Sequence, residues 1–247
     1  MKIKLLLFIL LICSSLWAQD ILLDLYNAGV EISREIDKAV LEATALTDAE
    51  ENQLGAQIRT EIIKTERPCT HRRFPVNEIF RKVVANASRQ GLDWECTIVS
   101  NSEFNAFAIA GGKVFINKGL LDAVGSEAEL AFVIGHEIAH IDLKHCVYKI
   151  QHGVRAGQID PNLGELVQIG YDIYSRPFSQ PQEQEADELG FRLMRRAGYP
   201  KQGALDFFRR LEQFEPKIED PTINAVNDFI STHPTARRRL ERMQQLD

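Results

Sequence analysis

Apolar residues recur along this chain at two different intervals, and the switches between them mark out its elements. Through Ile32, Ile36, Val40 and Leu41, and again through Leu54, Ile58 and Ile62, the interval is three or four, as on one buried face of a helix. Residues 20–64 are therefore expected to form one or two amphipathic helices that act as scaffold. Thr47, three residues before Glu50, supplies a capping box at the start of the second. A loop marked by Pro68 and Pro75 follows, and residues 76–89 return to helical spacing until Gly91. The interval then drops to two. Trp94, Cys96 and Ile98 alternate along 92–99, and the apolar stretches 104–110 and 113–117 flank Gly111-Gly112, a hairpin signal. A small antiparallel sheet is expected there.

Residues 128–141 read as a proline-free helix with Ser126 and Glu129 as a capping box. Between 151 and 179 the pattern is broken by Gly153, Gly157, Pro161, Gly164 and Gly170. A short helix at 163–174 within a mobile flap is the expectation for this stretch. Residues 181–196 open on a proline and close before Gly198, as strong helices do. A helix at 201–214, a polar connection at 215–232 and a basic helix at 234–246 complete the chain. The fold class is α+β: a mainly helical domain with a small antiparallel sheet.

Composition narrows the setting. Lys2 and Lys4, the apolar run 5–13 and the small Ala18 before Gln19 read as an export signal over residues 1–18. Its apolar run is shorter than the roughly 20 residues a bilayer span needs. Anchoring through the uncleaved signal, or through a lipid on Cys13, is the alternative; the bulky Ile12 disfavours the lipid. Residues 19–247 then form a single domain, with 19–65 as a helical part and 66–247 as the core. With 35 acidic against 29 basic residues the net charge is −6, and no basic stripe invites nucleic acid. Among the cysteines left after the signal, Cys146 continues the 128–141 helix, so Cys69 with Cys96 is the preferred disulfide. His71, without a partner at ligand spacing, is expected at the surface or in a local hydrogen bond.

The chemistry centres on His136-Glu137-Ile138-Ala139-His140. Histidines four apart share a helix face, so both imidazoles can reach one metal ion, with Glu137 beside it to hold a water. Two neutral imidazoles with a carboxylate and one open position suit zinc, one ion per chain. A third histidine six residues after His140 is ruled out, since Cys146 stands there. His145 is nine residues from His136, half a turn round a continuous helix, and reads as structural. The other source is an acidic helix. Glu183 and Asp187 lie in line on one helix face, 43 residues and more after His140. Glu183 can bind the metal while Asp187 accepts the free N–H of a ligand histidine, His136 being preferred. Glu185 points to the far side and is the weaker ligand.

At this point the chain resembles the HtpX-, Oma- and BepA-like metallopeptidases, gluzincins related to the CaaX-prenyl endopeptidases. The resemblance rests on His136–His140, on Glu183–Gly190, on Asn105-Ala106-Phe107-Ala108 with Gly111-Gly112 and Gly119-Leu120-Leu121, and on Thr232-His233-Pro234 with Arg239. Glu51 to Gly55 extends it upstream. It implies a zincin-type endopeptidase with His136, His140 and Glu183 as zinc ligands and Glu137 as general base. It further implies that Asn105, Ala106 and Phe107 form an edge strand gripping substrate backbone. His233 would act near the metal, as a fourth ligand in a latent state or an oxyanion donor, and Arg239 would sit near the cleft. By analogy the substrates are unfolded or misfolded polypeptides of a bacterial envelope, in the periplasm, with peripheral association with a membrane or its proteins.

Overall fold

The computed structural model describes residues 46–157, 163–214 and 236–246. The export signal, the 20–45 helix, the 215–232 connection and His233 lie outside those residues.

Helix α1 (Asp48–Thr65) starts where Thr47 and Glu50 cap each other, and it buries Leu54, Ile58 and Ile62. Helix α2 (Val76–Val84) is shorter than the 76–89 expected from spacing. The chain leaves it so that Arg89 can turn inward. There its guanidinium meets Asp48 at 2.6 Å and the buried Glu51 at 2.5 Å, and donates to the Ile141 carbonyl at 3.1 Å. Glu51 also accepts the Gly111 N–H at 3.0 Å. One buried carboxylate thus ties α1 to the hairpin turn and, through Arg89, to the end of the helix carrying the histidines.

Strands β1 (Glu95–Val99), β2 (Ala106–Ile109) and β3 (Lys113–Asn117) form one sheet in the order β1-β3-β2. The hairpin is as expected: Gly111 and Gly112 turn the chain at φ of 73° and 78°, where residues with a Cβ are strained. The sheet, however, is mixed, because β1 runs parallel to β3 while β2 is antiparallel to it. Every residue of β3 is buried, so β3 takes the centre. The loop 100–105 reverses the chain and the hairpin reverses it again, which leaves β1 and β3 pointing the same way. The Cys69–Cys96 disulfide is not formed, and both thiols are free. Pro68 pairs antiparallel with Val99, so Cys69 faces Ile98 and Cys96 is its diagonal neighbour. Diagonal positions lie about 7–8 Å apart, beyond a disulfide's usual reach. His71 is neither at the surface nor locally bonded: its side chain is largely buried, and its partner, at 3.1 Å, is Asp122, 51 positions away.

After α3 (Lys118–Ala123) comes α4 (Glu127–Asp142), capped by Ser126 and buried without a break from Glu129 to Ile141. Around it lie α5 (His145–Gly157), α6 (Leu163–Ile173), α7 (Gln180–Arg196), α8 (Gln202–Phe214) and α9 (Ala236–Gln245). Helices α4 and α7 meet backbone to backbone. A Cβ on Gly190 would stand 2.6 Å from the His136 amide nitrogen, and one on Gly135 would stand 2.6 Å from the Gly190 carbonyl oxygen. Gly190→Ala is therefore expected to cost about 1–3 kcal/mol and to push Glu183 and Asp187 away from His136. Thermal unfolding together with metal affinity would show both losses; an unchanged melting temperature would count against so close a contact. Among the described residues no helix is long and apolar enough to cross a membrane.

Candidate metal centre

His136 and His140 stand one turn apart on α4, and their Nε2 atoms point to the same spot, 3.1 Å from each other. Glu183 comes from the first turn of α7, a helix begun by Ser179 and Gln182 capping each other. Its Oε2 lies 3.4 Å from His136 Nε2 and its Oε1 3.5 Å from His140 Nε2. Each imidazole thus faces a different oxygen of the same carboxylate, and one donor atom from each of the three residues lies within 4.8 Å of the others, close enough for a single ion to draw them together. Among the described residues this is the group able to hold a metal. The donor chemistry agrees: two imidazoles and a carboxylate converge on one buried point, where their lone pairs repel unless a proton or a metal cation lies between them.

Each histidine is backed on its other nitrogen. His136 Nδ1 lies 3.1 Å from Asp187 Oδ1, the pairing expected from the in-line spacing of Glu183 and Asp187. His140 is backed by a residue that spacing puts elsewhere. On a continuous helix His145 would stand half a turn away, but α4 ends at Asp142 and Lys144 takes a left-handed conformation, φ 63°. That break swings His145 round to place its Nδ1 3.0 Å from His140 Nδ1. Its Nε2 in turn lies 3.1 Å from Glu185, so Glu185 belongs to the surroundings of the site although it is no ligand. Cys146, once the helix breaks, sits in the first turn of α5 instead of prolonging α4.

Arg239 reaches in from α9. Its guanidinium grips both oxygens of Asp187, at 2.8 and 2.6 Å, lies 3.6 Å from Glu183, and stacks 5.0 Å from the centre of the Phe208 ring. The resemblance places this arginine near the cleft, but nothing in the residue pattern indicates its partner, 52 positions away.

Glu137 is 2% exposed and faces a cavity of about 90 Å³ that Asn105, Ala106 and Phe107 also line. β2 is an edge strand. Asn117 N–H bonds to the Asn105 carbonyl, which sets the alternation along the hairpin and turns the main-chain groups of Ala106 and Ala108 away from β3. Tyr174 and Phe178, at the end of the segment expected to be a flap, complete the cavity wall. Phe178 stacks on His140 at 3.9 Å, and Tyr174 tilts against Phe107 at 4.8 Å. Larger hollows, of about 570 and 600 Å³, open between β1 and α2 and between α7 and α9. Neither of these is lined by Glu137 or by β2, although Glu183 lines the second; the small cavity is set apart by Glu137 together with the edge strand.

Burial and charge pull the titrations apart. Burial would lower the His136 imidazole, but its bonds to Asp187 and Glu183 and their charges hold its pKa up at about 9. Burial pushes Glu137 up to about 8, against the opposing pull of His136. It drives His140 well below the usual histidine range, more than the nearby Glu183 restores.

The helix pair, its two histidines and the acidic helix that answers them form a candidate metal centre, and the chain belongs to peptidase family M48, whose model matches residues 71–247. It is 30% identical over 167 residues to the mitochondrial metalloendopeptidase OMA1 of Arabidopsis thaliana, covering 65% of this chain and 33% of that protein. The OMA1 of Schizosaccharomyces pombe is 28% identical over 179 residues, 69% of this chain and 51% of that one. The beta-barrel assembly-enhancing protease of Yersinia pestis is 27% identical over 185 residues, 67% and 37% of the two chains. The chain thus spans about a third to a half of the length of these relatives.

Proposed function

We propose that this chain is a zinc-dependent endopeptidase, exported to the periplasm, that cuts extended segments of misfolded envelope proteins. The observation that carries the reading is the shared cavity. The general base Glu137 and the edge strand β2 line the same space, and Glu137 directly follows His136, whose donor atom lies within 4.8 Å of those of His140 and Glu183. His136, His140 and Glu183 hold the ion, and Asp187 orients His136. Bound zinc supplies a Lewis acid that acidifies water and polarises a carbonyl. Glu137 takes the proton of the attacking water and hands it to the leaving amine. Ala106 and Ala108 pair with the substrate main chain as an added strand, which grips any sequence that can extend. His233 acts on the same site, as an extra ligand in a latent state or as an oxyanion donor; unchanged activity and zinc affinity in His233→Ala would overturn both roles.

The relatives' names agree with this reading: one group is named for metalloendopeptidase activity, the other for enhancing beta-barrel assembly. The cover over the cavity favours a resting state that opens for substrate, since about 90 Å³ is far below the roughly 300 Å³ of ordinary ligand pockets. Unfolded casein incubated with the full chain is expected to yield internal fragments by mass spectrometry, none of them after chelation. Trimming from the ends alone, or fragments that survive chelation, would overturn the reading.

Zinc binding has a defined pH dependence. His136 titrates near 9 in the metal-free site, so at neutral pH it carries a proton that zinc must displace. Affinity is expected to rise with pH up to about 9, with at least one proton released per ion. Calorimetry in two buffers of different ionisation enthalpy would count those protons; zero release would contradict the raised pKa.

A further inference from the structure

The geometry points to His145 and Glu185 as positioning residues for the metal ligand His140, through a two-step relay of hydrogen bonds that sets which of its nitrogens carries the proton. The inference rests on the metal-site reading and extends it to two residues outside the ligand set.

The relay is dictated by what each group can donate. Glu185 is a carboxylate with most of its side chain in water, 61% exposed, and it can only accept. His145 must therefore present its N–H at Nε2, 3.1 Å from Glu185. A neutral imidazole with its proton on Nε2 has a lone pair on Nδ1, and that lone pair faces His140 Nδ1 at 3.0 Å. His140 then donates from Nδ1 and keeps its Nε2 lone pair for the site, 3.5 Å from Glu183. No proton moves. The surface carboxylate acts through one imidazole to select the tautomer of the next.

The fold has a reason to use a spacer. His136 receives its carboxylate directly, from Asp187 at 3.1 Å. Glu183 and Asp187 occupy the inward face of α7, and Glu185 projects from the solvent side of that helix, where His140 is beyond its reach. His145 fills the gap. It does so only because Lys144 adopts a left-handed backbone, φ 63°, a conformation strained for a residue with a Cβ. A continuous helix would set His145 about 140° round from His140. The break brings a buried imidazole against a metal ligand and turns that ligand's outer nitrogen from a buried orphan into a bonded donor.

The test uses the full chain loaded with zinc. One zinc per unaltered chain is the requirement of the metal-site reading, and a chain that binds none would overturn that reading before the relay is probed. Long-range proton–nitrogen spectra of the histidine-labelled, zinc-loaded chain are expected to show His145 protonated on Nε2 and His140 on Nδ1. By chelator competition His145→Leu is expected to bind zinc about 10- to 100-fold more weakly. His145→Gln should recover most of that loss, because its carboxamide accepts from His140 and donates to Glu185. Should His145→Leu fail to fold, Glu185→Ala at the surface decides the matter. It is expected to weaken zinc roughly two- to fivefold and to give His145 a second set of signals from the other tautomer. Zinc affinity and tautomers unchanged in Glu185→Ala would overturn the relay while leaving the metal site standing. So would a glutamine variant no better than leucine.

Discussion

Glu137→Gln is expected to leave the chain folded and loaded with one zinc while lowering kcat on unfolded protein by at least about 10²- to 10⁴-fold. The carboxamide has nearly the shape of the carboxylate it replaces, and Glu137 is not among the converging ligand atoms, so the ion should stay. What is lost is a base. Burial pushes Glu137 up to about 8 in the metal-free site, and a bound cation beside it would favour the carboxylate, the form that acts as base. The amide can neither take the water's proton nor return it to the amine. Zinc content measured beside single-turnover rates checks both halves. A folded, zinc-loaded variant with full activity would remove Glu137 from the mechanism.

Arg239→Ala is expected to destabilise the chain by about 3–5 kcal/mol, because it strands a buried carboxylate. Arg239 and Asp187 are 3% and 4% exposed, and two short hydrogen bonds join them, so little solvent screening softens the loss. That is a large share of the roughly 5–15 kcal/mol that holds a domain together. The damage should also reach metal binding, since Asp187 lies 3.1 Å from His136 Nδ1 and its pair with Arg239 ties α9 to α7. Removing both charges, with Asp187→Asn and Arg239→Met together, is expected to cost less than removing Arg239 alone. The pH dependence has a definite sign. Burial acts to raise the Asp187 pKa, but the Arg239 charge and the His136 bond hold it below the usual carboxylate value. Its stabilisation is therefore present above the unfolded value near 3.9 and is lost as pH falls through the lower folded value. Urea unfolding at pH 7 and at about pH 3 should show a steep acid loss in the unaltered chain and a flatter one in Arg239→Ala. A single-variant loss below about 1 kcal/mol would contradict a buried pair.

Much of this site could be read directly from residue spacing. A four-residue interval on a helix is geometry in itself, so the pairs His136 with His140 and Glu183 with Asp187 were legible without any tertiary knowledge, as were the caps at Thr47 and Ser126. What could not be read depends on long-range partners or on backbone breaks without a marker. Nothing at Leu143-Lys144 announces a helix end: there is no proline or glycine, and apolar spacing runs on through Val147 and Ile150. Spacing therefore sets His145 on the wrong face and leaves Glu185 to be judged only as a ligand. The hairpin signal is local and held, whereas the parallel pairing of β1 with β3 depends on which strand is most completely buried. The disulfide expectation came from eliminating Cys146, which says nothing about the diagonal register that keeps Cys69 and Cys96 apart. Arg239 stood among three consecutive arginines, and only the packing of α9 shows which one turns inward.

If one zinc, held by His136, His140 and Glu183, makes this chain an endopeptidase, activity must track the metal ion for ion. The most direct test is the rate of casein digestion by the metal-free chain as zinc is added back. The rate is predicted to start at the background level, rise in proportion to zinc and level off at one ion per chain. Digestion at full rate before any zinc is added, or a flat background through one equivalent and beyond, would contradict it.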